Sequence, residues 1–216
     1  EDMELTYEYH RLGALQGVLL DADGVSVIYD YSVEFNEAIP AATSWELDVA
    51  DTDVMQLVKD TARSMAVSSK GAMGPGSSIH ALCGDDWYDA LVSHPNVFKF
   101  YQNYQAARQA MGDQLAVYES FRLGPITFHN YRGTDDGSTV AIPTDEAKFF
   151  PVGARDVFKV AYAPLESMEY VNTPGQQLYM MNLMDRDRSF WVKGEMYSYP
   201  LHICQQPRLL RRATLT

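Results

Sequence analysis

Residues 18–25 read VLLDADGV, an apolar run followed by Asp21-Ala-Asp23-Gly24. Carboxylates so close together are residue types that can serve as nucleophile, as acid/base or as magnesium ligands. Further on, Gly84-Asp85-Asp86-Trp87-Tyr88-Asp89 offers oxygen ligands of the kind magnesium takes. Ser68, Ser69 and Lys70 lie between the two stretches as candidate phosphate contacts. No other local pattern points to chemistry. His10, His80, His94, His129 and His202 are dispersed, with none paired at metal-ligand spacing, and His94 before Pro95 suits a helix cap better than a ligand. An EF-hand reading fails, because Gly24 stands at loop position 4 and Ser32 at position 12. No Gly-x-Ser-x-Gly elbow occurs. The SSKGAMGPGSS stretch, residues 68–78, places Lys70 before its glycines and so fits no phosphate-binding Walker loop.

The first stretch resembles the opening motif of the haloacid-dehalogenase phosphatases, and the second resembles their last, metal-binding motif as GDxxxD. That resemblance implies a magnesium-dependent phosphatase using Asp21 and Asp23, with Lys70, Asp85 and Asp89 in support. Two features weigh against it. The family supplies its Ser or Thr and its Lys from separate elements, whereas Ser68, Ser69 and Lys70 share one loop. The interval between the acidic motifs is also short for the βα units of a doubly wound sheet.

The elements that must position these residues give a plainer reading. Leu5, Tyr9, Leu12, Leu15 and Leu19 recur at spacings of three and four, which predicts a helix over 3–20. On this reading VLL continues the helix and Gly24 stops it. Alternation from Val25 to Val33 predicts a strand. Thr52 or Asp53 caps a helix over 53–66, and residues 68–78 form a loop. Ile79–Cys83 reads as a buried strand, Gly84 as a turn, and Asp85 or Asp86 as the cap of a short helix. Pro95 opens a helix running to Met111. Residues 115–132 read as strand broken at Gly124-Pro125, residues 132–137 as a turn, and strands with short connections fill 139–164. A last extended region ends at Pro200–Cys204.

The chain has 216 residues, 46% of them hydrophobic, with 14 Tyr, 9 Phe and 3 Trp, so a packed core is within reach and global disorder is not expected. No apolar run approaches the ~20 residues needed to span a bilayer. The sequence shows no signal-peptide pattern, and its start at Glu1-Asp2 suggests a fragment or a trimmed product. Cys83 and Cys204 read as two reduced thiols. Fourteen of the 29 acidic residues, but only Arg11 and Lys59 of the 17 basic ones, fall within residues 1–60. That segment therefore carries the whole formal charge of −12, and the remainder is neutral. Nucleic-acid binders concentrate positive charge instead, so sequence-specific binding to DNA or RNA is not expected. The one basic cluster, Arg208, Arg211 and Arg212, reads first as a solvated end and second as a partner contact.

Five longer stretches carry a second resemblance. They are YEYHRLGALQGVLLDADGVSVIYDYSVEF (7–35), IHALCGDDWYDALVSHPNVFKFYQNYQAA (79–107) and FRLGPITFHNYRG (121–133). AKFFPVGARDVFKVAYAP with MEYVNTPGQQLY lies within 147–179, and SYPLHICQQPRLL covers 198–210. In order and spacing they resemble the phage major capsid protein E family, the head proteins of lambda-like tailed phages. The resemblance covers nearly the whole chain and absorbs both phosphatase-like stretches. It implies an α+β shell fold of the Hong Kong phage 97 type, with an axial domain inserted in a peripheral domain. Residues 1–44 would hold the end of the spine helix and the first peripheral strands, 45–165 the axial domain, and 166–216 the return to the peripheral domain. The N-terminal arm and extended loop of that fold would lie upstream of Glu1. The implied protein is not an enzyme and needs no catalytic residue, metal or cofactor. It assembles with itself into hexamers and pentamers of an icosahedral shell around DNA, with scaffolding, decoration and portal proteins as further partners and no membrane. It would reside in the virion, and in the host cytoplasm during assembly. A peptide- or protein-binding module is the remaining class a mixed domain of this size allows.

Overall fold

The stripe of Leu5, Tyr9, Leu12 and Leu15 folds into a helix, α1 (Asp2–Gln16). The computed structural model describes residues 2–21, 26–110, 120–131, 133, 141–188 and 190–216. The helix ends earlier than its apolar stripe suggests. Gly17 takes a φ of +86°, and its N–H closes the last turn on the Gly13 carbonyl at 2.9 Å. That left-handed conformation suits glycine and stops the helix. Val18–Leu20 then form strand β1, not the helix end expected, and pair antiparallel with β2 (Val27–Asp30). Gly24, the expected stop, lies outside the described residues. The second strand is also shorter than its alternation predicts. The Asp30 carboxylate accepts hydrogen bonds from the Ser32 and Val33 N–H groups, at 2.9 and 3.3 Å, and so starts the single-turn helix α2 (Tyr31–Glu34).

A six-stranded mixed sheet forms the larger part of the molecule. Its strands are β3 (Thr43–Ser44), β4 (Ser78–Cys83), β5 (Ser120–Leu123), β6 (Ile126–Asn130), β7 (Glu146–Val152) and β12 (Arg211–Thr214), in the order β3-β12-β7-β4-β6-β5. Strands β4 and β6 run parallel, as do β12 and β3, and the remaining pairs are antiparallel. Three helices cover one face: α3 (Val54–Ser68), α4 (Asp85–Ser93) and α5 (Pro95–Ala110). Asp53 caps α3 by accepting from the Gln56 N–H at 3.0 Å, as the sequence suggests. Between sheet and helices Trp45, Trp87, Phe128 and Phe149 pack as a group. Ring centroids are 5.2 Å apart for Trp45–Trp87, 5.5 Å for Trp45–Phe149 and 5.7 Å for Trp87–Phe128. These are distances at which aromatic pairs attract beyond their area burial.

Two further ribbons follow, each of two antiparallel strands. One pairs β8 (Phe158–Tyr162) with β11 (Pro200–Cys204), and the other pairs β9 (Tyr179–Met184) with β10 (Val192–Tyr197). A separate core joins α1, β1 and α2 to the chain before β8, to the end of β11 and to the turn at Pro207–Leu209, through Ala14, Leu19, Tyr31, Val157, Cys204 and Leu209. Each core buries one free thiol, Cys83 in the first and Cys204 in the second. Burial pushes the Cys204 thiol up to about 12 and Cys83 well above its usual range, so both stay in the unreactive thiol form. The turn expected at 132–137 and the strand expected over 115–119 fall largely outside the described residues.

Candidate functional site

The structure gives the phosphatase-like residues separate structural settings. Asp21 is exposed and follows β1, a strand of a two-stranded antiparallel ribbon and not of the central sheet. Its backbone N–H donates to the Ser26 carbonyl at 2.8 Å. Asp23 lies outside the described residues. Among those described, no doubly wound parallel sheet exists to present a nucleophile as that enzyme family requires. Ser69 is buried at the end of α3, where its hydroxyl donates to the Ala66 carbonyl at 2.7 Å and accepts from the Gly71 N–H. Lys70 is exposed, at a left-handed φ of +48°.

Asp85 and Asp86 are not the helix caps expected from the sequence. The cap position of α4 is Gly84, in an extended conformation, and both aspartates occupy the first helical turn. There their charge opposes the positive end of the helix dipole. Asp86 and Asp89 are exposed. The turn itself is shaped by crowding: a Cβ on Gly84 would sit 2.2 Å from the Pro143 carbonyl oxygen. The GDxxxD pattern is thus a strand-to-helix turn.

The basic tail cluster is not a solvated end. Arg211 spreads its guanidinium over the last turns of α3. It donates to the Ser64 carbonyl at 3.1 Å, the Ser64 hydroxyl at 3.1 Å and the Ser68 hydroxyl at 2.7 Å. Arg208 donates to the Ser68 carbonyl at 2.8 Å and pairs with Glu37. Two cations therefore meet the negative end of α3, where such charges each contribute ~0.3–1 kcal/mol. They tie the C-terminal segment to both cores.

Four of the five dispersed histidines meet in pairs. His80 on β4 and His129 on β6 stack with ring planes 7° apart, and His80 Nδ1 lies 2.8 Å from His129 Nε2. The Ser78 hydroxyl holds His80 Nε2 at 3.0 Å. Burial holds both imidazoles below their ordinary pKa, and the neighbouring His80 lowers His129 further. His10 and His202 approach edge to face at 6.2 Å, both lowered chiefly by burial. Sequence spacing gave no sign of either pair, because each depends on the register between distant segments. No group of three metal-ligating side chains occurs among the described residues. His94 caps α5, as expected: its Nδ1 accepts from the Asn96 N–H at 3.3 Å while Nε2 meets the Val49 carbonyl at 3.1 Å.

Two further surfaces stand out among the described residues. A cleft of about 530 Å³ lies between α1 and the β8–β11 ribbon, with Leu12, Leu15, Phe150, Phe158 and Val160 in its wall. Its lining is mainly apolar, with Glu8, Arg11, Lys159, Tyr162 and His202 as its polar members. The second is the β9–β10 hairpin, rich in exposed Met and aromatic side chains. Surfaces of this type serve contact more readily than catalysis.

Comparison with known proteins agrees with that character. The family described as Phage major capsid protein E matches residues 1–215. The major capsid protein of Pseudomonas phage KPP10 is 29% identical over 177 residues, which is 75% of this chain and 49% of that protein. The major capsid protein of Salmonella phage Felix O1 is 26% identical over 235 residues, 96% of this chain and 63% of that one. The chain thus spans about half of the first of these curated relatives and under two thirds of the second. In fold it is similar to a structure described as the capsid protein of a prophage of E. coli CFT073. The TM-score is 0.59 at 15% identity, over 100% of this chain and 64% of that chain. The chain belongs to the phage major capsid protein E family.

Proposed function

We propose that this protein is the major head subunit of a tailed bacteriophage or prophage, a structural protein that assembles with itself into capsomers and an icosahedral shell around DNA. The observation that carries this reading is the family match over residues 1–215. The exposed apolar surfaces support it, since a shell subunit must hold large areas in reserve for its neighbours. The reading includes the Hong Kong phage 97 type architecture. The core around α3–α5, roughly residues 45–165, is the axial domain, and the core around α1 is the peripheral one. Strands β12 and β3 lie outside that span: β12 is hydrogen-bonded to β7 at its edge, and β3 to β12. The protein works in the virion, and in the host cytoplasm while shells form, with scaffolding, decoration and portal proteins as partners. Its role is mechanical and not catalytic. An acidic subunit holds packaged DNA without binding it tightly, because few cations are offered to the phosphates.

The test is electron microscopy and sedimentation of the protein expressed at its full natural length, alone and with the neighbouring head proteins. Closed shells or capsomer rings are the expected result. A monomer under every condition, with its head partners present, would sink the reading.

A further inference from the structure

Residues 179–197 form a hairpin whose two faces differ. The register pairs Met180 with Met196, Asn182 with Gly194 and Met184 with Val192. Side chains alternate along a strand, so these six residues share one face. The other face carries the Tyr179–Tyr197, Met181–Glu195 and Leu183–Lys193 pairs. On the first face Met180 is 71% exposed, Met184 60%, Val192 60% and Met196 54%. Phe190 and Trp191 stand at the tip, 79% and 55% exposed. The base, by contrast, is fixed. Tyr179 is buried against Tyr170, with centroids 5.1 Å apart, and its hydroxyl accepts from the Gln176 N–H at 2.7 Å. Ser198, just beyond β10, bonds the Tyr7 hydroxyl of α1 at 2.5 Å. A rigid base thus carries an apolar distal face. Among the described residues both outer strand edges are unpaired. A two-stranded ribbon alone in water is marginally stable, which makes an uncovered one of this composition a surface awaiting a cover.

We infer that the Met180–Met184–Val192–Met196 face of this hairpin, with Phe190 and Trp191, docks against a second copy of the same chain. The inference rests on the shell reading, which places copies side by side, and names the surface by which they hold. Two observations select the occupant. The chain carries −12 overall, yet between residues 178 and 197 Asp185, Asp187 and Glu195 are balanced by Arg186, Arg188 and Lys193. The hairpin is therefore a neutral place where two acidic copies can touch, and it offers no charge to a strongly acidic or basic partner. The middle of the face is also hollow. A Cβ built on Gly194 meets only the Asn182 side-chain oxygen, at 3.8 Å. Three flexible methionines and Val192 surround an open notch, the form of surface that interdigitates with a neighbour's side chains.

The experiment uses the full-length protein and two readouts. In the first, parent, M180D/M196D and M180L/M196L proteins are compared for the concentration at which half the subunits enter capsomers or shells. The aspartate variant is expected to need at least about tenfold more protein, while its thermal midpoint matches the parent's, because both positions are exposed. The leucine variant, which keeps the apolar surface, is expected to assemble as the parent does. In the second, parent subunits and assembled parent are treated with peroxide, and methionine sulfoxide is mapped by mass spectrometry. Met180, Met184 and Met196 are expected to be protected only in the assembled form. The inference is overturned if the aspartate variant assembles at parental concentrations. It is equally overturned if the three methionines oxidise as fast in shells as in subunits, or if protection appears only when a different head protein is added. In those cases parent shells still form and the shell reading stands. A parent that forms no particles overturns both together.

Discussion

A Cβ at position 84 would lie 2.2 Å from the Pro143 carbonyl oxygen and 2.6 Å from the Thr144 carbonyl oxygen. These are backbone atoms held by the sheet, since the Gly84 N–H itself donates to the Glu146 carbonyl at 2.9 Å. They cannot swing aside as a side chain would. Gly84→Ala should therefore destabilise the fold by more than about 2 kcal/mol, at the upper end of overpacking costs. Asp86→Ala, an exposed first-turn position, should cost under about 1 kcal/mol through the helix dipole alone. Urea unfolding of the two variants checks the order. If Asp86→Ala proves the more damaging, the aspartate and not the glycine organises this turn. The same contrast separates structure from chemistry in the motif: the residue type that matters at GDxxxD is the one without a side chain.

At the scale of elements, the signals that came through the sequence were local ones. The apolar stripe and the Asp53 cap of α3 were legible, as were Pro95 at the start of α5 and the loop between α3 and β4. The boundary at Gly17 was hidden, because Leu19 falls on the same helical stripe although it packs from a strand. Neither the placing of β12 between β3 and β7 nor the bond of Arg211 to the end of α3 leaves any local trace. The His80–His129 contact belongs to the same class, since only the parallel pairing of β4 with β6 brings the rings together. That contact predicts a pH dependence. Both imidazoles titrate below their ordinary value in the folded state. As pH falls through ~6.5 the unfolded chain takes up protons that the folded one resists, so stability declines with acidification. Two protonated rings would also face each other donor to donor. Thermal midpoints at about pH 7.5 and about pH 5.5 should therefore drop more for the parent than for His129→Gln, which removes one titrating ring. Comparing slopes cancels the general effect of the acidic surface. Equal slopes would show that the pair does not couple to folding.

For the whole molecule, charge and apolar surface pull in opposite directions. All twelve formal negative charges in excess fall within residues 1–60, which form α1, β1, β2, α2 and β3 and the start of α3. Copies that bring these segments near one another repel. Apolar association at the hairpin, whose own charges balance, escapes most of that repulsion at its centre but not at its margins. Salt acts on the two terms differently. The screening length shrinks from ~30 Å at 0.01 M to ~10 Å at 0.1 M and ~3 Å at 1 M, so repulsion between neighbouring segments fades. Apolar burial is not screened, and sulfate strengthens it. Self-association of the full-length protein should therefore tighten as sodium chloride rises from about 0.05 to about 0.5 M, and tighten further in sulfate at equal ionic strength. Sedimentation velocity across such a series measures it. Weaker association with added salt would mean that opposite charges on neighbouring copies hold the assembly, with Arg11, Lys159 and Arg186, Asp187 and Arg188 at the hairpin tip as the exposed candidates. In that event the Met face would be incidental to the contact, and the order of the two forces argued from the charge distribution would be reversed.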